Sequence, residues 1–363
     1  MTGGGAAGGV VHLDSASCSL MAPATVEACI AHLRREAEVG GRATSEAAPV
    51  FDRLRADLGL LLGMRGDQVA LVHDATDGIG AAVASFRLGA GARVGVVRSE
   101  YGSNRMKLEH AGYRVVELAT DDDGRLDVGS VPDGLDLVVI SHIQSQLPVV
   151  QPVRDLTARL AGVPVVVDVA QSAGHVSVEG LGAAVVVGTS RKWLRGPRGA
   201  AFVAVADEWV DRLVPSPELG AATWSADDTP VPVPGAARFE VWEASMAARV
   251  GLAQAVADLL AAGPQHVFDR IAALGCAARA RIDGLDGWHV VEPLDEPVGS
   301  VTFTHPTADL AAVHRRLQEQ GILLSLIPPT RALTMDAPVL RASFHTFNTE
   351  ADTDTLTTAL SST

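Results

Sequence analysis

The sequence predicts an α/β fold: a mostly parallel central sheet sandwiched by helices, followed by a smaller C-terminal α+β domain. Three observations predict it. Short β-branched runs alternate with helical stretches from about residue 69 to 205. Several runs, such as VVVDV and AAVVVG, are apolar at successive positions, the pattern of strands buried on both faces. With 363 residues, 47% hydrophobic and only 4% aromatic, the chain can build a large core from Val, Ala and Leu plus a second, smaller one.

Taken in order, MTGGGAAGG has neither a charged nor an apolar region of a signal peptide and reads as a disordered leader. Residues 1–20 are expected to be leader and arm, 21–250 the large domain and 251–363 the small one. Residues 22–62 show apolar positions at helical spacing. Strand and helix then alternate: DQVALVH with TDGIGAAVASF, RVGVVR with RMKLEHAG, then YRVVELA and a polar DDDG turn. DLVVISH, VRDLTARLAG, PVVVDVA, AAVVVGTS and AAFVAV follow. Residues 211–237 read as a Pro- and Asp-rich loop, and EASMAARVGLAQAVADLLAAG starts a long helical segment. GSVTFTH, ADLAAVHRRLQEQG, VLRASFH and a helix from about Glu350 close the chain as β-α-β-α.

Composition excludes several classes. A net charge of −14 with no basic cluster argues against sequence-independent nucleic-acid binding. The longest aliphatic runs are strand-sized, far short of a membrane span. Three cysteines without metal-ligand spacing point to no metal site and to a reduced, cytoplasmic setting.

GTSRKWLRGPRG holds Lys192, one of only two lysines among 29 basic residues. A coding bias that strong leaves a lysine where arginine cannot substitute. An amine can lose its proton and attack a carbonyl, whereas a guanidinium stays charged. Asp168 ends an all-aliphatic run, where a parallel strand delivers it to the ligand-binding edge of the sheet. Read alone, Asp168 is equally a helix N-cap. With Lys192 leaving a nearby strand on the same side, the pair suggests pyridoxal phosphate: an amine for the aldehyde and a carboxylate for the pyridine nitrogen. HDATDGIGAA offers a phosphate cradle at a helix start, with Ala75 N–H and Thr76 as expected N-cap. Thr189 and Arg191 flank the lysine and complete a candidate phosphate shell.

These motifs, with VHLDSASCS at the start and VLRASFHTFNTEAD at the end, resemble the class V aminotransferase family, fold type I pyridoxal phosphate enzymes that include cysteine desulfurases. The resemblance implies that Lys192 is the cofactor-linked lysine and Asp168 the partner of the pyridine nitrogen. It implies that Gln171 bonds the ring's 3-oxygen, that Tyr101 of SEYGSN stacks on the ring, and that Arg341 grips the substrate's α-carboxylate. Ser145 of SHIQSQLP stands where the family has a substrate-contacting asparagine, with Gln144 and Gln146 as alternatives. Trp242 and Glu243 replace residues that reach the neighbouring subunit's phosphate; together with Trp193 they are candidates to line a cationic leaving group. Members are homodimers, so the resemblance implies a homodimer.

The loop LSLIPPTRALTMDAP, where desulfurases carry a nucleophilic cysteine, has none. Within the family, LDSASCS, REAEVGG and FEVWEASMAARVGL most resemble the branch that acts as carbon–sulfur lyases in ergothioneine biosynthesis. The expected reaction is β-elimination from a cysteine sulfoxide conjugate, giving a sulfenate or thiol product plus pyruvate and ammonia. Alternatives are another family activity (epimerase, transaminase, desulfurase or selenocysteine-lyase relative) or a non-catalytic cofactor-binding regulator.

Overall fold

The computed structural model describes residues 9–216 and 221–361. The first eight residues of the expected leader lie outside them. Seven strands form the main sheet: β1 (Val69–Val72), β2 (Arg93–Val97), β3 (Arg114–Leu118), β4 (Leu137–Ser141), β5 (Val165–Asp168), β6 (Val185–Thr189) and β7 (Ala201–Val205). Their spatial order is β1-β7-β6-β5-β4-β2-β3. Only β7 runs against its neighbours, so the carboxyl ends of the other six share one edge.

The aliphatic runs are explained by burial on both faces. Val166, Val185 and Val187 pack with Ile79 and Val83 of the helix Ala75–Ser85. Val165, Val167 and Val186 point the other way, into Leu54 and Leu58 of the helix Ala48–Leu62 and Leu252 and Val256 of Met246–Ala262. At about 1.5–3 kcal/mol for each fully buried aliphatic side chain, this double layer fixes the register of β5 and β6. Asp168 and Lys192 depend on that register.

A second core lies in the C-terminal third. The antiparallel strands His289–Val290, Ser300–Thr304, Val339–Ser343 and Ser325–Ile327 carry Phe303 and Leu340 against helices Pro264–Ile282, Leu310–Glu319 and Glu350–Leu360. The long helical segment breaks at Gly263, where Pro264 forces a bend of 87°. Its first half packs on the large sheet; in its second half Val267 and Ile271 still join the large core, and Leu274, Ala278 and Ile282 enter the small one. The arm crosses between them: Val11–His12 pairs with Ile322–Leu323, Leu13 enters the small core, and Ser15–Cys18 reaches the large domain.

Two segments differ from the sequence reading. Residues 211–237 contain a hairpin, Ala222–Trp224 with Pro230–Pro232, turning through Asp228 at φ 59°. GILLSLIPP forms two short strands, because Ile322–Leu323 finds the arm and Ser325–Ile327 finds Val339–Ser343. Neither partner is visible in local periodicity. The stretch Ser15–Val39 is apolar and long enough to span a membrane, but Ser19–Ala22 interrupts it and Pro23–Val39 packs against Met246–Ala262.

Candidate active site

A cavity of about 560 Å³ opens at the shared carboxyl edge, within the size range of small-ligand sites. Asp168 ends β5, and Lys192 lies three residues past the end of β6. Gln171 and Thr189 line the same wall. Ala75 and Thr76 open the helix after β1, and Tyr101 precedes the helix Gly102–His110. Arg191, Ser145 and Arg341 complete the set, Arg341 arriving from the small sheet.

The helix start is capped differently from the expectation. Asp74, not Thr76, is the N-cap; its Oδ1 accepts from Asp77 N at 2.9 Å. An aspartate two residues past the strand outcompetes the threonine because its carboxylate reaches the third N–H of the helix. The amides of Ala75 and Thr76 remain directed to the cavity end of the helix, where the dipole favours an anion.

Burial pushes the Lys192 ammonium down to about 7, with nearby Asp168 opposing and the Arg191, Arg341 and Arg331 charges assisting. Asp168 Oδ1 accepts from Ala170 N at 2.8 Å, and Oδ2 accepts from Asn104 Nδ2 at 3.1 Å. The same Asn104 amide donates to Glu100 Oε1 at 3.0 Å. Glu100 also accepts from Tyr101 N and from Ser141 N at 2.7 Å. Desolvation, with Asp168 adding repulsion, raises its carboxyl to about 7. Asn104 thus bridges two buried carboxylates. The sequence signal was present in SEYGSN, where Glu and Asn stand at i, i+4, but only Tyr101 was drawn from it.

Gln171 is oriented from both ends: Nε2 donates to Ala16 O, and Oε1 accepts from Trp193 Nε1, each at 3.0 Å. Trp193 is therefore not on the substrate side. It is 1% exposed, stacks on His175 at 3.5 Å between ring centroids and holds Gln171 from behind. Trp242 and Glu243 are exposed and outside the cavity lining of this chain; only the Glu243 carbonyl touches it, through His73. Of the three candidates after SHI, Ser145 alone lines the cavity. Gln144 and Gln146 are consumed by Gln151 and the Ser99 carbonyl.

Arg341 is buried, which lowers it to about 10. It donates to the Ser145 carbonyl at 2.8 Å and to Ser325 Oγ at 3.2 Å, with Asp14 at 3.7 Å. Its Nε makes no hydrogen bond. Two further cavity cations, Arg198 and Arg331, were not singled out by the sequence reading.

A lone buried amine, a carboxylate held at the end of the neighbouring strand and an anion-seeking helix end define an enzyme of the pyridoxal phosphate class. Residues 11–356 match the model of the class V aminotransferases. The chain belongs to that family, and its cofactor is pyridoxal 5'-phosphate. It is 37% identical, over 96% of this chain and 89% of the relative, to a probable hercynylcysteine sulfoxide lyase of Mycobacterium tuberculosis. Two solved structures share the fold. The apo cysteine desulfurase of Thermococcus onnurineus superposes with a TM-score of 0.87 at 21% identity, covering 97% of this chain and 94% of that one. The cystine C–S lyase C-DES, in complex with its product cysteine persulfide, gives 0.87 at 19%, covering 98% of each.

The residues fit the cofactor. Thr189, Arg191 and the Ala75–Thr76 amides, at the helix start, would hold the phosphate, Asp168 would meet the ring nitrogen, and Tyr101, also in the lining, would stack on the ring.

Proposed function

We propose that the chain is a carbon–sulfur lyase acting by β-elimination on a cysteine sulfoxide conjugate, hercynylcysteine sulfoxide, in ergothioneine biosynthesis. One observation carries the reading: Lys192, Asp168 and Arg341 line one cavity, yet no cysteine lines it. Cys18, Cys29 and Cys276 all lie outside the lining. A reaction whose sulfur departs unaided needs no enzyme thiol. The 37% identical relative supports the substrate.

When bound, the cofactor supplies an electron-withdrawing ring that acidifies the substrate's Cα–H. Lys192, whose proton is held weakly near neutral pH, is the base that removes that hydrogen as a proton. Arg341 grips the α-carboxylate and fixes which Cα bond faces Lys192. Asp168, held by Asn104 and Ala170 N, keeps the ring nitrogen protonated. The electron pair of the broken Cα–H bond becomes the Cα–Cβ double bond, and the Cβ–S pair leaves with sulfur as a sulfenate. The remaining three-carbon enamine hydrolyses to pyruvate and ammonia. A homodimer is part of this proposal: Trp224 and Trp242, 68% and 72% exposed, leave apolar surface for a second copy.

The test is incubation of the purified, cofactor-loaded protein with hercynylcysteine sulfoxide and an added thiol reductant that reduces the released sulfenate, following pyruvate and the thiol-imidazole product. Turnover of another amino acid without pyruvate from this one would refute the reading. A cofactor absorbance unmoved by every amino acid would favour a regulator.

A further inference from the structure

We infer that Arg331 is a second anion grip, which selects substrates carrying a carboxylate on the leaving group in addition to the α-carboxylate. The inference rests on the lyase reading above and names the part of the substrate that this cavity recognises.

Arg331 lies in the loop after the strand Ser325–Ile327, at the end of a short 3₁₀ turn, Pro329–Arg331. This loop occupies the stretch where the family's desulfurases carry a nucleophilic cysteine. The guanidinium lines the cavity and sits 5.7 Å from the centroid of the Tyr101 ring, close enough for a cation–π contact. The loop is seated firmly. A Cβ on Gly102 would lie 3.1 Å from the Arg331 carbonyl oxygen, so the missing side chain lets the loop backbone close against the helix start. Arg331 N donates to Pro328 O at 3.0 Å.

The charge has no partner. Among the described residues no carboxylate forms an ion pair with Arg331, whereas Arg341 has Asp14 nearby. Its charge instead bears on Lys192 and Arg341, adding repulsion to both. A half-buried cation facing two others across a cavity lowers its energy by taking up an anion. The other anions of the bound state are allotted on the lyase reading: the phosphate would be held at the helix end with Arg191, and the α-carboxylate by Arg341. Of the two unassigned cavity cations, Arg198 is exposed at the rim, and the half-buried Arg331 is left for a third. Hercynylcysteine sulfoxide supplies one, since its betaine portion carries its own carboxylate beside the trimethylammonium.

The experiment compares hercynylcysteine sulfoxide with its analogue in which only the betaine carboxylate is capped as a carboxamide. Both kcat/KM and the dissociation constant read from the cofactor absorbance on mixing are measured, so the comparison does not depend on turnover. Wild type should favour the acid by on the order of 10- to 100-fold, the range of a charge-assisted hydrogen bond. In Arg331→Gln the acid-to-amide ratio should collapse to near one, with the loss in KM rather than kcat. Arg331→Lys should restore part of it. An acid preference that persists in Arg331→Gln, or a wild type that does not distinguish the pair, would overturn the inference. If wild type binds both conjugates without releasing pyruvate, the lyase reading fails by itself while the ratio still judges Arg331.

Discussion

Replacing Lys192 with methionine in the cofactor-stripped protein should make it more stable at neutral pH. The lysine falls from 10.5 to about 7 in the fold, a shift of about 3.5. At 1.36 kcal/mol per unit this is about 5 kcal/mol against the charged form. Part of the side chain faces the open cavity, and water there relieves some of that, so about 3 kcal/mol is the working figure. The sign follows from proton counting. Between pH 7 and 10.5 the unfolded lysine holds its proton and the folded one does not, so wild-type stability rises with pH in that window. Methionine has nothing to titrate. At pH 7 the stripped Lys192→Met protein should melt roughly 4 °C above stripped wild type, by the entropy of unfolding a chain of this length. The gap should close by about pH 10. Adding pyridoxal phosphate should reverse the order, since only wild type can bond it. Calorimetric melting of both proteins from pH 6.5 to 10 measures this. Parallel curves across that range would refute the claim that desolvation dominates at Lys192.

Two other substitutions probe the support of the site. Asn104→Leu removes the donor shared by Glu100 and Asp168, and at about 1.5–3 kcal/mol per hydrogen bond to a charged group should cost about 3 kcal/mol of stability. Equilibrium dialysis of the holoenzyme should also show cofactor retention weakened on the order of tenfold, as Asp168 loses its hold. Gly174→Ala places a Cβ 2.6 Å from the Trp193 carbonyl at φ 86°, a conformation that alone costs about 1–2 kcal/mol. Its melting temperature should drop by several degrees; an unchanged value would mean that the Trp193 segment yields freely.

The alternation of aliphatic runs with helical stretches was enough to set the sheet, because strands buried on both faces must be apolar at every position. The same pattern placed Asp168 at a strand end, and the rarity of lysine singled out Lys192. Those are local properties, written residue by residue. What the chain could not show locally is which distant groups meet. Asp74 takes the cap from Thr76 because it enters the helix two residues sooner and its carboxylate reaches Asp77 N. Trp193 turns inward because His175, 18 positions earlier, offers a stacking face and Gln171 an acceptor. Asn104 bridges Glu100 to Asp168, 64 positions away, only because β2, β4 and β5 end at one edge. Arg331 looked like any loop arginine until the small sheet and Gly102 brought it over Tyr101. Residue-by-residue chemistry is enough for the strand pattern and for the lysine that tells the cofactor. Which charges face one another across the cavity is settled by folding, because electrostatic partners are fixed by distance and burial.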